Sequence, residues 1–108
     1  MKILMIGNDP ALTYLLVRYA EQGGYDIARA PKMPAPPEMR ALHPVAILFQ
    51  SLAALEASHP LIAELAADDL PVLVCSSVAD EARARELGAD RCLIHPLTCD
   101  GVLAALAR

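Results

Sequence analysis

Five short, mostly apolar runs recur along the chain, and the segments between them have helical spacing or turn-forming residues. Such runs, when bounded by turn residues, are typical of strands buried in a sheet. Strands that alternate with helices form a parallel sheet with helices on both faces and right-handed crossovers. The sequence therefore predicts a single doubly wound α/β domain over residues 1–108. Its predicted strands are residues 2–7, 25–29, 45–49, 71–75 and 91–94.

The first predicted helix has clear signals at both ends. Asp9 can cap it, and Pro10 can occupy the first turn, where a missing N–H costs nothing. Apolar residues then recur at helical spacing from Leu12 to Ala20, and Gly23-Gly24 ends the helix.

Two later helices have comparable start signals. Ser77 and Asp80 have the spacing of a capping box, which predicts a helix over about 78–87 that ends at Gly88. Thr98 can cap a last helix that runs to the C-terminus.

Prolines shape the middle of the chain. Four of them fall within residues 31–37, so we expect an extended connection there, with at most a short helix at about 37–42. Pro60 is expected to open a helix to about Ala67, with Leu61, Ile62 and Leu65 facing the core.

Composition excludes several classes of function. The net charge is −4 and the nine basic residues are spread from Lys2 to Arg108, whereas a nucleic-acid interface needs clustered Lys and Arg. The longest uncharged apolar stretch, Pro44 to Leu55, is well short of the ~18 residues of a membrane span. No secretion signal opens the sequence, and its three cysteines are odd in number and lack Cys-x-x-Cys spacing, which indicates reduced thiols. We expect a cytoplasmic domain without direct contact to nucleic acid or membrane.

In a parallel α/β sheet, a site lies at the carboxyl ends of the strands. The sequence after the first strand, Gly7-Asn8-Asp9-Pro10, matches neither a dinucleotide nor a P-loop fingerprint. Ser76 and His95 end neighbouring strands, but no orienting acid or nucleophile elbow accompanies them. We therefore expect no enzyme activity. The residues at the predicted strand ends are Gly7, Asn8, Asp9, Gln50, Ser51, Ser76, Ser77, His95 and Pro96.

The three histidines argue against a metal centre. His43, His59 and His95 each precede a proline. A residue before proline is pushed out of the helical region, so a pair of histidines one helical turn apart is not expected. We expect no metal and no cofactor.

Several segments resemble the receiver domain of bacterial response regulators, a CheY-like fold. The resemblance covers the whole chain and is strongest in Ala82–Asp90 and in Leu93-Ile94-His95-Pro96-Leu97. It implies a flavodoxin-like sheet with strand order 2-1-3-4-5, a role in two-component signal transduction, and a cis peptide bond at His95-Pro96.

The resemblance also implies where a phosphorylation pocket would lie. The acidic pair of typical receivers falls on Gly7 and Asn8, the phosphoacceptor on Gln50, the hydroxyl on Ser76 and the lysine on His95. Only Ser76 keeps its type, while Asp9 is better explained as the helix cap. Mg²⁺ is held through carboxylates, a glutamine amide cannot form an acyl phosphate, and histidine does not replace the permanent charge of lysine. We therefore expect a degenerate receiver, or pseudo-receiver, that acts without phosphorylation.

In receivers the last strands and helices commonly contact partners. The resemblance thus implies a surface for a protein partner, an attached output domain or a homodimer, although the same charges are typical of a solvated helix face. The Pro-rich segment 31–37 is a second candidate surface. Two alternatives stay open: phosphoryl transfer to His95 or Ser76, and small-ligand binding in a flavodoxin-like cleft. The candidate interaction residues are Ala82, Arg83, Glu86, Leu87 and Arg91.

Overall fold

The computed structural model describes residues 1–64 and 69–107. Its five strands form one sheet in the order β2-β1-β3-β4-β5, and every neighbouring pair is parallel. This confirms the predicted doubly wound, flavodoxin-like fold. The elements are β1 (Lys2–Ile6), α1 (Pro10–Gln22), β2 (Asp26–Ala30), α2 (Pro36–Ala41), β3 (Ala46–Phe49), α3 (Leu52–Glu64), β4 (Val72–Ser76), α4 (Glu81–Glu86), β5 (Arg91–Ile94) and α5 (Cys99–Leu106).

Hydrophobic cores cover both faces of the sheet. On one face α1 and α5 pack through side chains such as Leu16 and Val102 against alternate strand residues. On the other face α2, α3 and α4 pack through Met39, Leu55 and Ala84. Every residue of β3 and β4 is buried, as expected for central strands with helices on both sides.

Two of the predicted helix caps are confirmed. The Asp9 carboxylate accepts a hydrogen bond of 3.1 Å from the Leu12 N–H, and Pro10 opens α1. Thr98 Oγ1 accepts one of 3.0 Å from the Gly101 N–H and caps α5. Because each cap satisfies an N–H that lacks a partner within its helix, it fixes where the chain leaves the sheet.

The start predicted for α3 is wrong. The helix begins at Leu52, and Pro60 lies inside it instead of opening it. The Ser51 hydroxyl accepts a 3.1 Å hydrogen bond from the Ala54 N–H and so caps the start of α3. Ile62 faces the core as predicted, while the prediction for Leu65 lies outside the described residues.

The helix predicted over 78–87 is divided. A single 3₁₀ turn, Val78–Asp80, precedes the shorter α4. Ser77 donates a 3.2 Å hydrogen bond to the Asp80 carboxylate and does not cap the backbone, so the capping box does not form. Gly88 follows the helix with a φ of +107°, consistent with its predicted role in ending it.

Smaller differences concern element ends. β2 and β4 begin and end one residue later than predicted, and the short helix after the prolines is Pro36–Ala41. Among the helices of the described residues, none has the length and apolar character needed to cross a membrane.

Candidate functional site

The carboxyl ends of β1, β3, β4 and β5 meet along one rim of the sheet, because these strands are parallel neighbours. The rim brings together the strand-end residues singled out in the sequence. The rim has two halves. The β1–β3 half contains Gly7, Asn8, Asp9 and Gln50, and the β4–β5 half contains Ser76, His95 and Pro96.

Gln50 dominates the β1–β3 half. Its side chain is buried, with only 4% of the residue exposed. Its Oε1 accepts a 2.9 Å hydrogen bond from the Asp9 N–H, and its Nε2 donates one of 2.6 Å to Thr13 Oγ1. Nε2 also lies 3.5 Å from the Met5 sulfur. The amide therefore joins the end of β3 to the start of α1.

Gly7 makes room for that amide. A Cβ atom at position 7 would lie 2.5 Å from Gln50 Oε1 and 2.8 Å from Gln50 Cβ, closer than real Cβ contacts allow. The φ of Gly7 is +140°, which non-glycine residues rarely adopt. Gly7 and Gln50 are thus packed as a pair, and a larger residue at position 7 is incompatible with this position of the amide.

The sequence did not identify the other partners of Gln50. Thr13 and Met5 belong to α1 and β1 and looked like ordinary helix and strand residues. The one available signal was the spacing of Thr13 and Asp9, which lie four residues apart at the start of α1 and so share one side of that helix.

The β4–β5 half contains the only buried side-chain polar atom without a hydrogen bond in residues 1–64 and 69–107. This atom is Oγ of Ser76, a residue that is 6% exposed. His95 lies beside it at the rim, with an exposed side chain and a backbone N–H that donates a 3.2 Å hydrogen bond to the Ser76 carbonyl. The His95-Pro96 peptide bond is cis, as the resemblance implied.

The remaining histidines lie away from the rim. His43 is in the turn before β3 with a φ of +51°. His59 lies within α3 although it precedes Pro60, and its Nδ1 is 3.2 Å from the Leu87 carbonyl oxygen. Within the described ranges, no three His, Cys, Asp or Glu side chains come together as metal ligands would.

Cys75 is the other candidate nucleophile near the rim. Burial raises the pKa of its thiol to about 12. Because the thiolate is the reactive form of cysteine, this residue remains an unreactive part of the core at neutral pH.

The candidate interaction surface is smaller than the sequence suggested. Ala82, Arg83 and Glu86 are exposed on α4, and Arg83 forms ion pairs with Glu86 (3.4 Å) and with Glu56 of α3 (3.6 Å). Leu87 is 5% exposed and packs into the core, so it offers no side chain to a partner. Arg91 is half-buried, and its guanidinium donates a 2.6 Å hydrogen bond to the Ala105 carbonyl near the end of α5.

Comparisons with known proteins add to this geometry. No protein-family model matches the chain, and no curated protein has a significantly similar sequence. Solved structures do match. The activated N-terminal receiver domain of Klebsiella pneumoniae RstA superposes with a TM-score of 0.78 at 18% identity, over 99% of this chain and 96% of that one. The chain has the fold of a receiver domain.

Two further structures with this fold differ in their chemistry. A Burkholderia pseudomallei response regulator with a phosphorylated aspartate and a calcium ion gives a TM-score of 0.69 at 26% identity, over 97% of this chain and 65% of that one. An atypical orphan response regulator is described as having a phosphorylation-independent regulatory mechanism. It gives a TM-score of 0.73 at 17% identity, over 98% of this chain and 92% of that one.

The divalent cation that receiver domains employ does not fit the rim of this chain. Mg²⁺ requires carboxylate oxygens in a near-octahedral arrangement. The β1–β3 half offers the Gln50 amide, which already has hydrogen-bond partners, and the Asp9 carboxylate, which caps α1. The β1–β3 half therefore does not supply the set of carboxylate oxygens that such a cation requires.

Proposed function

We propose that this chain is an atypical receiver domain that works without phosphorylation, as a protein-interaction module in two-component signal transduction. The observation that carries the proposal is the position of the Gln50 amide. It lies at the end of β3, where the resemblance places the phosphoacceptor, and it fills the space above Gly7. The domain has no enzymatic role in this proposal.

The chemistry of the filled site supports this. An acyl phosphate forms when a carboxylate oxygen attacks a phosphorus atom, and a primary amide held by two hydrogen bonds has neither the charge nor the freedom to do so. A charged phosphoryl group would also need a cation beside it, because burying an unpaired charge is costly. Asp9 follows Gly7 and Asn8 directly, but its carboxylate accepts the Leu12 N–H at the start of α1.

Regulation without phosphorylation has a counterpart among the structural neighbours. The atypical orphan response regulator is described in those terms and shares the fold over nearly the whole chain. In this proposal a stable α/β scaffold presents a fixed surface, and what changes is whether a partner or an attached output domain is bound.

The partner surface that we propose lies on α4 and the adjoining edge of the sheet. Arg83 and Glu86 present exposed charges of both signs there, and the side of β5 that faces away from β4 is an open edge in the strand order. Such a surface suits a partner with complementary charges. Complementary charges are expected to affect the rate and specificity of association more than the affinity.

Intact mass spectrometry after incubation with acetyl phosphate and Mg²⁺ tests the absence of phosphorylation. We expect the unmodified mass, with the Burkholderia response regulator as the positive control. A stoichiometric phosphoryl adduct that mild base removes would refute the proposal, because that behaviour indicates an acyl phosphate.

The same experiment on His95→Ala and Ser76→Ala addresses the alternative acceptors. An acid-labile, base-stable adduct that His95→Ala abolishes would assign phosphoryl transfer to His95. An adduct that Ser76→Ala abolishes would assign it to Ser76. Either result would replace the proposed phosphorylation-independent function.

A further inference from the structure

The outer edge of β2 has no neighbouring strand. β2 is the terminal strand of the sheet and pairs only with β1. The Asp26 N–H donates to the Met1 carbonyl at 2.8 Å, so Asp26 directs its backbone groups towards β1. In a parallel ladder alternate residues direct both backbone groups to the same side. The N–H and C=O groups of Ile27 and Arg29 therefore point outward, where an added strand could pair with them.

A groove of about 900 Å³ lies between this edge and α1. Ile27 and Val17 line it with half-buried apolar surface and pack against the core on the α1 side of the sheet. Because side chains alternate along a strand, Arg29 shares that face with Ile27, whereas Asp26 lies on the other face. A strand added to β2 would therefore place every second side chain over the groove.

Two arginines give one end of the groove a positive charge. The Arg18 guanidinium lies 5.5 Å from the centre of the Tyr14 ring and donates a 2.8 Å hydrogen bond to the Tyr14 hydroxyl. Tyr14 lies one turn nearer the start of α1, so this contact directs the Arg18 charge away from Glu21. The start of α1 lies at the carboxyl end of the parallel strands, and Arg29 lies near that end of β2. Neither arginine forms an ion pair in residues 1–64 and 69–107.

The side chains of this face indicate which kind of strand would pair with it. Ile27 and Arg29 present one apolar and one cationic side chain, and Arg18 adds a second positive charge beside them. A second copy of β2 would bring only another isoleucine and another arginine to the same face. An extended segment with a carboxylate opposite Arg29 and an apolar side chain opposite Ile27 would complement both.

We propose that the β2 edge binds an extended segment of another protein, in which an acidic residue precedes an apolar residue by two positions. Antiparallel pairing is the more stable arrangement per residue. In it the acidic residue forms a hydrogen-bonded pair with Arg29 and the apolar residue forms one with Ile27. The backbone hydrogen bonds supply affinity, as in other cases of strand addition, and the arginines select the carboxylate.

This inference does not depend on the proposed function. The α4–β5 surface and β2 lie at opposite edges of the sheet, so one partner surface can be absent while the other is present. The exposed Arg29 also makes the edge selective, because a charged residue on an edge strand opposes pairing with strands that offer no opposite charge.

A nuclear magnetic resonance titration of the isotopically labelled protein tests the proposal. The probe is the peptide Thr-Glu-Thr-Val-Thr with both termini blocked. We expect saturable shifts of the Ile27 and Arg29 backbone amides, with a dissociation constant of about 0.1 to 1 mM because the interface is small. The same peptide with glutamine in place of glutamate should bind several times more weakly.

Methylation of single backbone nitrogens in the peptide tests strand pairing without altering the protein. In the proposed register the N–H groups of the peptide's glutamate and valine point to β2, and that of the threonine between them points away. Methylation at either of the first two should abolish the shifts. Methylation at the middle threonine should leave binding unchanged.

Charge reversal in the protein tests the role of the arginines. Arg29→Glu should weaken binding of the peptide at least about tenfold. A peptide with lysine in place of glutamate should bind Arg29→Glu more tightly than it binds the unchanged protein. Arg83→Glu makes the same change of charge on α4 and is the matched control, which should bind the original peptide normally. Circular dichroism should show that both variants are folded.

Several results would overturn the proposal. One is the absence of saturable shifts in β2, and another is binding that Arg29→Glu leaves unchanged. Equal effects of methylation at all three peptide positions would exclude strand pairing in this register. Shifts of the β2 amides that depend on protein concentration without any peptide would show that a second copy occupies the edge instead.

Discussion

The two halves of the strand-end rim treat their buried polar groups in opposite ways. In the β1–β3 half, both polar atoms of the Gln50 amide have protein partners and the neighbouring glycine leaves no spare room. In the β4–β5 half, the Ser76 hydroxyl is buried and has no hydrogen bond among the described residues. The halves are neighbours in one sheet and share the same scaffold.

This difference shows that uncharged residues at the positions of a receiver's charged residues need not leave an empty pocket. Where the resemblance places the acidic pair and the phosphoacceptor, the chain has a packed and hydrogen-bonded arrangement that contributes to the fold. Where it places the groups that bind phosphoryl oxygens, a hydroxyl remains whose burial has a cost and no compensation. The Gln50 arrangement therefore stabilises the β1–β3 half, whereas the Ser76 hydroxyl makes no favourable contribution to stability in the β4–β5 half.

Among the variants that test this comparison, Gly7→Ala should cause the largest loss of stability. The added Cβ would lie 2.5 Å from the Gln50 amide oxygen, and the alanine would have to adopt a φ of +140°. We therefore expect a loss of about 3 kcal/mol in the free energy of unfolding. Urea denaturation measures it. Gly24→Ala is the matched control, because Gly24 has a φ of +82° but open space around it. Its cost should be about 1 kcal/mol, and equal losses at the two glycines would contradict the packing argument.

Gln50→Ala should destabilise the fold by about 2 kcal/mol, since it leaves the Asp9 N–H and the Thr13 hydroxyl without their partner. Gln50→Met keeps most of the side-chain volume and loses only the hydrogen bonds. Its stability should therefore lie between those of Gln50→Ala and the unchanged protein. Unfolding curves for the three proteins give the ranking. If Gln50→Ala is as stable as the unchanged protein, the amide does not stabilise the β1–β3 half.

Ser76→Ala should behave in the opposite way. Removing a buried hydroxyl without a partner should be neutral or stabilise the fold by up to about 1 kcal/mol. The same urea measurement applies. A loss as large as that of Gln50→Ala would show that the Ser76 hydroxyl has a partner, and the contrast between the two halves would fail.

The smallest effect is expected for the Cys75 thiol, in its labelling and in the pH dependence of stability. With its pKa raised to about 12 by burial, the thiol stays protonated, so an alkylating reagent at pH 8 should label the half-buried Cys92 and Cys99 first. Peptide mapping by mass spectrometry reads out the order. Because the unfolded thiol ionises at lower pH than the folded one, Cys75 should also reduce stability as the pH rises from about 9 towards 12. Rapid native labelling of Cys75 would show that the β4 core opens readily.

Much of the fold could be predicted because its signals are local. Apolar runs mark the strands, and the Asp9 and Thr98 caps act on backbone groups three residues away. The start of α3 was missed because Leu52–Leu55 continues the apolar run of β3, and because proline inside a helix costs about 3 kcal/mol and so predicts a boundary. Here the packing of Leu55 and Ile62 in the core accompanies a helix that continues through Pro60.

The site could be predicted only in part, for a different physical reason. The sequence identifies Gly7 and Gln50, but the hydrogen bonds of Gln50 join residues 41 and 37 positions apart. Such contacts depend on how strands and helices are assembled. The same holds for Arg91, whose bond to the Ala105 carbonyl depends on where α5 packs.

The most direct test of the central claim is a nuclear magnetic resonance titration of the isotopically labelled protein with Mg²⁺ and beryllofluoride, the phosphoryl mimic used to activate the Klebsiella receiver domain. If Gln50 fills the pocket, the Gln50 side-chain amide and the backbone amides of Gly7 and Asn8 should keep their chemical shifts throughout. Saturable shifts confined to these residues would show that the pocket binds the metal and the mimic, and would contradict the account.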